Sequence, residues 1–518
     1  MDRSMDTNFS IVALDKFIQA TRDSGYRDTT SAVAELVDNS LQAGATEISL
    51  ILEANSNEKY PITLAVVDNG HGMDAGTLRT SLRFGGTTRF NDRGGLGRYG
   101  MGLPNSSLSQ AQRVTVHTWR SADGDVLSSH LDLDEIASKG ITDVPEPCSV
   151  ARPRFINGSN SGTAVVWTKC DRLDNRRLST IAKKLGFALG RRFRHYLWRG
   201  VSISVNGAPV LPFDPLYLHP SSIFSGAKQF AEEVVYEVEA SPDDHTGVGF
   251  VKVRFSELPV VDWSNLSNHE KRTRGIAKGA GVSIVRAGRE VDYGWFFLGD
   301  KRRENYDDWW RCEIQFEPIL DEAFGITHTK QQIRPRPHLL EALVPDMEST
   351  ARVLNARARK AHLDVKISAR FLPSEDIAKK KDKLLEPLPE VPRKRDKRVL
   401  DAIGARLGPV VASRDGGENE REYRVIPAAL SETAFFNYAR DSGRLILVIN
   451  PEHPFYKTVY QPLLDSNDEK DQEIRTKIDL VLMAAARSES LLEEELSMSM
   501  AEKYRKGWSD TLATFLND

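Results

Sequence analysis

Residues 34–45 read AELVDNSLQAGA, a stretch with helical periodicity that carries two polar side chains four positions apart. Glu35 and Asn39 stand at i and i+4, so one face of a helix presents both. This spacing suits a carboxylate that holds a water molecule and an amide oxygen that binds Mg²⁺, an ion that takes few protein ligands together with phosphate oxygens. A Glu and an Asn at this spacing are more often simply solvated, and the pair therefore needs support from the rest of the chain.

A polar turn follows the next apolar stretch. Residues 66–74 read VVDNGHGMD, where Asp68 ends a predicted strand and Gly70 and Gly72 let the backbone approach a ligand closely. A carboxylate in this position can accept a hydrogen bond from the amino group of adenine. The alternative is a tight turn between a strand and a loop, with no ligand.

A glycine-rich loop then leads into a helix that we expect to begin near Leu103. Residues 94–109 read GGLGRYGMGLPNSSLS. The backbone N–H groups of such a loop and of the helix N-terminus can bind phosphates. A flexible linker is the alternative, but linkers seldom lead directly into a helix between core strands. Further along, Thr163 opens the strand GTAVVWT (162–168), where its hydroxyl is placed to reach a base through water.

These four motifs, in this order over about 130 residues, resemble those of the GHKL superfamily of gyrase B, the large heat-shock chaperone ATPases, histidine kinases and MutL. The resemblance implies a Bergerat fold, a mixed sheet backed by helices with ATP on its helical face, and an ATPase that uses Mg²⁺. It implies that Glu35 is the general base, Asn39 the Mg²⁺ ligand and Asp68 the adenine acceptor. The other implied ATP-binding residues are Gly70, Gly72, Met73, Gly97, Arg98, Tyr99, Gly100, Met101, Gly102, Leu103 and Thr163.

Within the superfamily, GRYGMGLPNSS and the early helix look most similar to bacterial MORC and MutL-like proteins, many of which act on DNA. GVSIVRAGREV (281–291), WWRCEIQFEPILDEAFG (309–325) and THTKQQ (327–332) resemble the transducer domain of that branch, which is of the ribosomal protein S5 domain 2-like type. In such transducers a lysine reaches the γ-phosphate, and the resemblance assigns this catalytic role to Lys330. One departure is Arg89, which stands where relatives often carry lysine and is given no role.

The chain is predicted to be an α+β protein of several domains, since 518 residues exceed the usual size of one domain. A long helix is expected over Asn8–Ala43 and another over Arg176–Leu197. The predicted domains are a GHKL ATP-binding α/β sandwich at 1–200, a transducer-like α+β domain with a trailing helix at 201–371, an exposed charged and proline-containing linker at 372–398, and a small mixed α/β region of unknown role at 399–518.

Charge and cysteine content limit the partners and the compartment. Lys and Arg number 70 against 73 Asp and Glu, a net charge of −3, so any contact with DNA must come from local basic patches. Cys148, Cys170 and Cys312 are widely spaced, which argues against a disulfide framework or a zinc site. Without a long apolar segment, we expect a cytoplasmic protein that does not interact with a membrane. The basic candidates are Arg191, Arg192, Arg194 and Arg199, Lys271–Lys278, and Arg352–Lys360, each of which is more often only a solvated surface.

The expected function is an ATP-gated homodimeric clamp acting on duplex DNA in a bacterial restriction, defence or repair context, with nuclease, helicase or methylase partners. One alternative is a chaperone-like ATPase that remodels protein clients. The other is a histidine-kinase-like phosphotransferase, which Glu35 disfavours because such kinases typically lack this carboxylate. No metal-binding cluster of a nuclease is recognisable in the C-terminal region, and His453 in RLILVINPEHPFY is expected to be structural.

Overall fold

A computed structural model describes most of the chain, and it divides by internal contacts into two compact units. The described residues are 14–26, 28–57, 59–86, 100–139, 141–156, 158–241, 247–299, 301–326, 332–389, 393–403, 423–430, 433–441, 443–492 and 494–516. The first unit comprises residues up to 259 together with 266–357, and the second comprises 260–265 together with 358–518. This division places residues 358–371 with the C-terminal unit, so it does not coincide with the predicted boundary after residue 371.

The first part of the first unit is an eight-stranded mixed sheet with its helices. Its elements are α1 (Leu14–Ser24), α2 (Thr29–Gln42), β1 (Glu47–Ala54), β2 (Ile62–Asp68), α3 (Ala75–Leu82), α4 (Gly102–Gln110), β3 (Ala111–Trp119), β4 (Val126–Asp132), α5 (Leu133–Lys139), β5 (Cys148–Val150), β6 (Gly162–Cys170), α6 (Leu178–Arg192), α7 (Arg194–Trp198), β7 (Ser202–Val205) and β8 (Ala208–Pro209). The strand order is β5-β4-β3-β6-β2-β1-β7-β8. Strands β1 and β7 pair in parallel, and the other neighbours pair antiparallel.

Alternation along the central strand β2 separates the two faces of this sheet. Leu64 and Val66 point into the main core, where they meet buried residues of α2, α4 and α6. Ala65 and Val67 belong to a smaller cluster on the opposite face. The predicted α/β sandwich is therefore confirmed, and Asp68, the next residue in the alternation, lies on the helical face.

Two long helices predicted from the sequence are interrupted. The prediction of one helix over Asn8–Ala43 is wrong, because α1 ends at Ser24 and α2 begins at Thr29. Asp28 caps α2 with an extended backbone, and its carboxylate accepts a hydrogen bond from the Ser31 N–H at 2.6 Å. A capping residue of this kind marks the beginning of a new helix. The helix expected over 176–197 is likewise divided into α6 and α7.

The second part of the first unit is a five-stranded sheet with strand order β12-β11-β13-β10-β9. Its elements are β9 (Lys228–Glu239), β10 (Val248–Glu257), α9 (Asn268–Thr273), β11 (Val282–Arg286), β12 (Arg289–Gly294), β13 (Trp310–Phe316) and the start of α10 (Pro337–Asp382), while α8 (Val260–Trp263) belongs to the second unit. Leu339, Leu343 and Met347 of α10 pack with Trp310 and other sheet residues in one core. This sheet lies in the segment predicted to be transducer-like.

The second unit is built around a three-stranded sheet of order β14-β16-β15. Its further elements are α11 (Lys394–Ile403), β14 (Tyr423–Pro427), β15 (Phe436–Asp441), β16 (Arg444–Ile449), α12 (Gln461–Asp465), α13 (Glu469–Ser490) and α14 (Glu495–Leu516). The prediction of an exposed linker over 372–398 is wrong at both ends of that range, because α10 continues to Asp382 and α11 begins at Lys394. His453 is buried, and its Nε2 lies 3.0 Å from the Ser509 carbonyl oxygen, which agrees with a structural role. Within the residues described, no helix combines the length and apolar character needed to cross a membrane.

Candidate functional site

Helix α2 carries both residues that the first motif singled out. Glu35 is buried, with 3% of its surface exposed, and Asn39 is half-buried one turn later. The Asn39 backbone carbonyl accepts the Ala43 N–H at 3.0 Å, but its side-chain amide makes no hydrogen bond to the residues that the structure describes. The amide oxygen is therefore available as a ligand.

The N-terminus of α4 lies directly against the Glu35 carboxylate. A Cβ atom at Gly102, the first residue of α4, would stand 2.3 Å from Glu35 Oε1, so no larger residue fits there without displacing the carboxylate. The N-cap residue Met101 supplies no side-chain hydrogen bond to the first turn. The first N–H groups of a helix have no intrahelical acceptor, and together with the helix dipole they favour anions. A phosphate group in this position would thus lie beside Glu35.

Tyr26 is a second side chain that contacts the Glu35 carboxylate, and no motif in the sequence pointed to it. Its side chain is buried, and burial raises the pKa of Tyr26 well above its usual value of 10.0. The negative charge of Glu35 and the hydrogen bond between the two side chains raise this pKa further. A tyrosine that stays protonated and donates to Glu35 holds the carboxylate in one orientation.

Asp68 is held by three hydrogen bonds at the end of β2. Its Oδ1 accepts the N–H groups of Gly70 at 2.9 Å and Thr163 at 3.2 Å, and its Oδ2 accepts the Ser40 hydroxyl at 2.8 Å. Burial raises the pKa of Asp68 above its usual value of 3.8, although these hydrogen bonds act against the shift. Each carboxylate oxygen has two acceptor sites, so Oδ2 can accept one more donor.

The turn after Asp68 is packed closely on both sides. A Cβ at Gly70 would stand 2.8 Å from Ala43, just past the end of α2. Gly72 has a φ of +67°, and a Cβ there would stand 2.2 Å from the Trp119 carbonyl oxygen. The Met73 N–H donates to the Thr118 hydroxyl at 2.8 Å, so this turn is fixed between α2 and β3.

Thr163 lies next to Asp68, because the two are register partners of β6 and β2. Its hydroxyl is 3.4 Å from the hydroxyl of Thr118, its partner on β3. Thr118 was not selected from the sequence, yet it is fully buried and also donates to the Gly162 carbonyl at 3.1 Å. A second threonine hydroxyl therefore lies next to that of Thr163, where the sequence predicted one.

The glycine-rich loop is described only at its ends. The Gly85 N–H donates to the Gly100 carbonyl at 3.1 Å, which brings the two ends of the loop together. Gly100 has a φ of +60°, Met101 precedes α4, and Leu103 packs against the main core. The predicted site residues Gly97, Arg98, Tyr99 and Lys330 lie outside the described residues, as does Arg89.

The donor set fits Mg²⁺ bound mainly by a nucleotide. The described part of the chain has no group of three or more His, Cys, Asp or Glu side chains arranged to hold a metal ion. Mg²⁺ commonly takes one or two protein oxygens together with phosphate oxygens and waters. The free amide of Asn39, one turn from Glu35 and near the N-terminus of α4, meets that requirement.

Comparison with known proteins identifies the family of the region that contains these residues. Residues 26–163 match the family model described as "Histidine kinase-, DNA gyrase B-, and HSP90-like ATPase". The chain carries a GHKL ATPase domain. Over 125 residues this protein is 33% identical to the DNA mismatch repair protein MutL of Streptococcus thermophilus, a stretch that covers 23% of this chain and 18% of that MutL.

Two other relatives match over part of the chain. The ATPase MORC2B of Mus musculus is 36% identical over 78 residues, which is 15% of this chain and 8% of that protein. The MutL of Shewanella sediminis is 25% identical over 237 residues, which is 45% of this chain and 36% of that protein. The resemblance to MORC and MutL proteins is confirmed, while the matches cover well under half the length of these relatives.

Three of the four arginines in the basic run near the end of the GHKL region form contacts within the protein. Arg194 is fully buried, where its guanidinium donates to Glu290 at 3.1 Å, to Ser283 at 2.9 Å and also to Glu313. Burial raises the pKa of Glu313, but the charges of Arg194 and Arg254 and the interaction with His195 together outweigh it and hold that pKa well below its usual value.

The other members of this run are also engaged within the protein. Arg191 pairs with Glu290 at 2.8 Å, and Arg192 donates to the Ser31 hydroxyl at 3.0 Å. Arg191, Arg192 and Arg194, named as basic candidates more often found on a solvated surface, are thus engaged within the protein, and Arg199 alone of this run is exposed.

Proposed function

We propose that the GHKL domain binds Mg²⁺–ATP and hydrolyses it, with Glu35 as the general base and Asn39 as the metal ligand. The observation that carries this proposal is the buried Glu35 carboxylate in contact with the N-terminus of α4. The base then lies directly beside an anion-binding helix end, so a water molecule attacking a phosphate bound there would be within reach of Glu35.

The proposed chemistry follows from that arrangement. Glu35 takes a proton from the water as its oxygen attacks the γ-phosphorus, the bond to the β-phosphate oxygen breaks, and ADP and phosphate leave. The N–H groups at the start of α4 stabilise the negative charge on the phosphates. Bound Mg²⁺ would neutralise further phosphate charge, with Asn39 as its protein ligand. Tyr26 keeps the Glu35 carboxylate oriented toward the water.

The opposite end of the site would recognise the base. Asp68 has a free acceptor position on Oδ2, suited to the amino group of adenine, while Ser40 and the Thr163 N–H fix the orientation of the carboxylate. The Thr163 hydroxyl would reach the base through a water molecule. The lid residues Gly97–Leu103 would close over the phosphates.

Two substitutions separate binding from hydrolysis. Glu35→Ala should lower the hydrolysis rate by on the order of 10²–10⁴ and leave nucleotide affinity nearly unchanged, because a general base contributes to the rate and not to adenine contacts. Asp68→Asn should instead weaken binding, since an amide presents a donor as well as an acceptor. Titration calorimetry with a non-hydrolysable analogue and a phosphate-release assay give both quantities. Hydrolysis by Glu35→Ala at the wild-type rate would contradict the assignment of the base.

We further propose that the protein acts as an ATP-gated homodimeric clamp on duplex DNA in the cytoplasm, in a bacterial restriction, defence or repair setting with nuclease, helicase or methylase partners. Support comes from the relatives, two of which are named DNA mismatch repair proteins. Arg199 and parts of Lys271–Lys278 and Arg352–Lys360 offer exposed positive charge.

Turnover measured with and without duplex DNA across a range of salt tests the clamp proposal. Phosphate contacts weaken steeply as salt rises, so stimulation by DNA should fade with increasing salt. An ATP turnover rate that is the same with and without DNA at every salt concentration would contradict the clamp proposal and favour the chaperone-like alternative.

A further inference from the structure

We propose that Arg289, on the five-stranded sheet, is a positioning residue for the nucleotide site, and that it acts through a buried ion pair with Asp38 of α2. The inference rests on the proposed ATPase function. It identifies the contact through which the five-stranded sheet fixes the position of α2. Asp38 stands between the candidate base Glu35 and the candidate metal ligand Asn39 on the same helix.

The ion pair is enclosed by protein. Arg289 Nε lies 2.9 Å from Asp38 Oδ2, and the two side chains are 4% and 0% exposed. A buried charge that loses its partner is far less stable than an exposed one, because water does not replace the lost interaction. Separation of Arg289 from α2 is therefore strongly disfavoured.

Arg289 reaches α2 from a rigid hairpin turn. Strands β11 and β12 are joined by Ala287 and Gly288, whose φ angles are +48° and +84°, and Arg286 pairs with Arg289 across the turn. Two successive residues with positive φ match the twist of a tight two-residue hairpin. The Tyr196 hydroxyl of α7 donates to the Ala287 carbonyl at 3.2 Å, which fixes the tip of the hairpin against the GHKL region.

Glu290, the residue after Arg289, adds a second charged contact between β12 and the GHKL region. Glu290 pairs with Arg191 at 2.8 Å and with Arg194 at 3.1 Å, so adjacent residues of β12 meet opposite charges on the GHKL region. A shift of β12 by one residue would take Arg289 away from Asp38 and Glu290 away from Arg191 and Arg194. Buried charges would then lose these partners, which is strongly unfavourable. The observed position of β12 satisfies both residues, and the hairpin and α2 are therefore expected to move together.

This coupling bears directly on catalysis. Asp38 is one residue from Asn39 and three from Glu35, so a rotation of α2 that moves Asp38 also moves the base and the metal ligand. Misplacement of a reacting group by about 1 Å can lower a rate about a hundredfold. A conformational change in the five-stranded sheet thus reaches the base through Arg289.

Arg289→Gln tests the proposal, with Arg286→Gln as its matched control. Arg286 is the hairpin partner of Arg289 and loses an ion pair with Asp321 at 2.6 Å, whose side chains are 4% and 16% exposed, but that pair does not involve α2. Arg289→Gln should lower kcat about tenfold or more, with the Kd for a non-hydrolysable ATP analogue changed by less than about threefold. Arg289→Lys should restore part of the activity, and Asp38→Asn combined with Arg289→Gln should recover part of the loss because both charges of the buried pair are then removed together.

Amide hydrogen exchange of α2 without nucleotide provides a second readout. Exchange in Leu36–Asn39 should quicken in Arg289→Gln and remain near wild type in Arg286→Gln. A kcat for Arg289→Gln within twofold of wild type, or equal losses of kcat in both variants, would overturn the positioning role. If the wild-type protein hydrolysed no ATP, the proposed function would fail, whereas the exchange data would still decide whether Arg289 holds α2.

Discussion

Gly102→Ala is the smallest change that should move the candidate base. The new Cβ would lie 2.3 Å from Glu35 Oε1 and 3.1 Å from Glu35 Cγ, whereas ordinary van der Waals contact begins at 3.4 Å. The carboxylate must therefore shift by about 1.1 Å, and because Glu35 is buried it has little free space to do so. A shift of about 1 Å can cost about 10² in rate, equivalent to about 2.7 kcal/mol of transition-state stabilisation.

The folded state should tolerate this substitution, which makes kinetics the decisive assay. Alanine favours helix more than glycine does by up to about 1 kcal/mol, so the melting temperature should change little. We expect a fall in kcat of about a hundredfold and a much smaller change in the Kd for a non-hydrolysable ATP analogue. Gly186→Ala is the matched control, since a Cβ at this helical glycine of α6 meets no atom within 4 Å and should leave kcat unchanged. A kcat for Gly102→Ala within twofold of wild type would refute the placement of the base beside α4.

Three further predictions concern binding, assembly and the remaining catalytic residue. ATP affinity should fall as the pH is lowered through the pKa of Asp68, beginning above its usual 3.8, while Asp68→Asn shows no such dependence. The folded pKa is raised, so protonation of Asp68 itself favours folding and does not contribute to acid unfolding. Light scattering should show a monomer becoming a dimer, or a dimer tightening, with the ATP analogue, and one monomeric mass in both states would exclude the nucleotide-dependent dimer. Lys330→Ala should lower kcat with little change in ATP affinity, and Lys330→Arg should restore only part of it because the guanidinium differs in shape and reach; a kcat within twofold of wild type would contradict the role of Lys330.

The parts of the site that were predicted best from the sequence are those formed by residues close together in the chain. The i and i+4 spacing of Glu35 and Asn39 depends only on one helix, and the turn at Gly70 and Gly72 depends only on its own backbone and close packing. The start of α4 at Gly102 lies within one residue of the position expected from the glycine-rich loop. Each of these features is encoded within about ten consecutive residues.

Features that depend on distant partners were missed. Tyr26 contacts Glu35 only because α1 and α2 are separate helices, a break that Asp28 signals through its capping pattern. The charges of Arg191 and Arg194 resembled a basic surface, because their partner Glu290 is about a hundred residues away. Charge alone does not distinguish an exposed arginine from one that forms a buried ion pair. The polar strand β4 was missed because its sequence, VLSSHLD, has few apolar residues.

The burial of Arg194 determines where the polypeptide can be cut. A fragment ending near residue 200 would keep Arg191 and Arg194 but remove Glu290 and Glu313, exposing a positively charged, partly apolar face that the whole protein keeps covered. We expect such a fragment to aggregate or to adhere to nucleic acid without sequence preference, and any DNA affinity measured on it would be an artefact of truncation. A fragment ending near residue 357 retains both acidic partners and is the shorter form of choice for biochemical work on the ATPase.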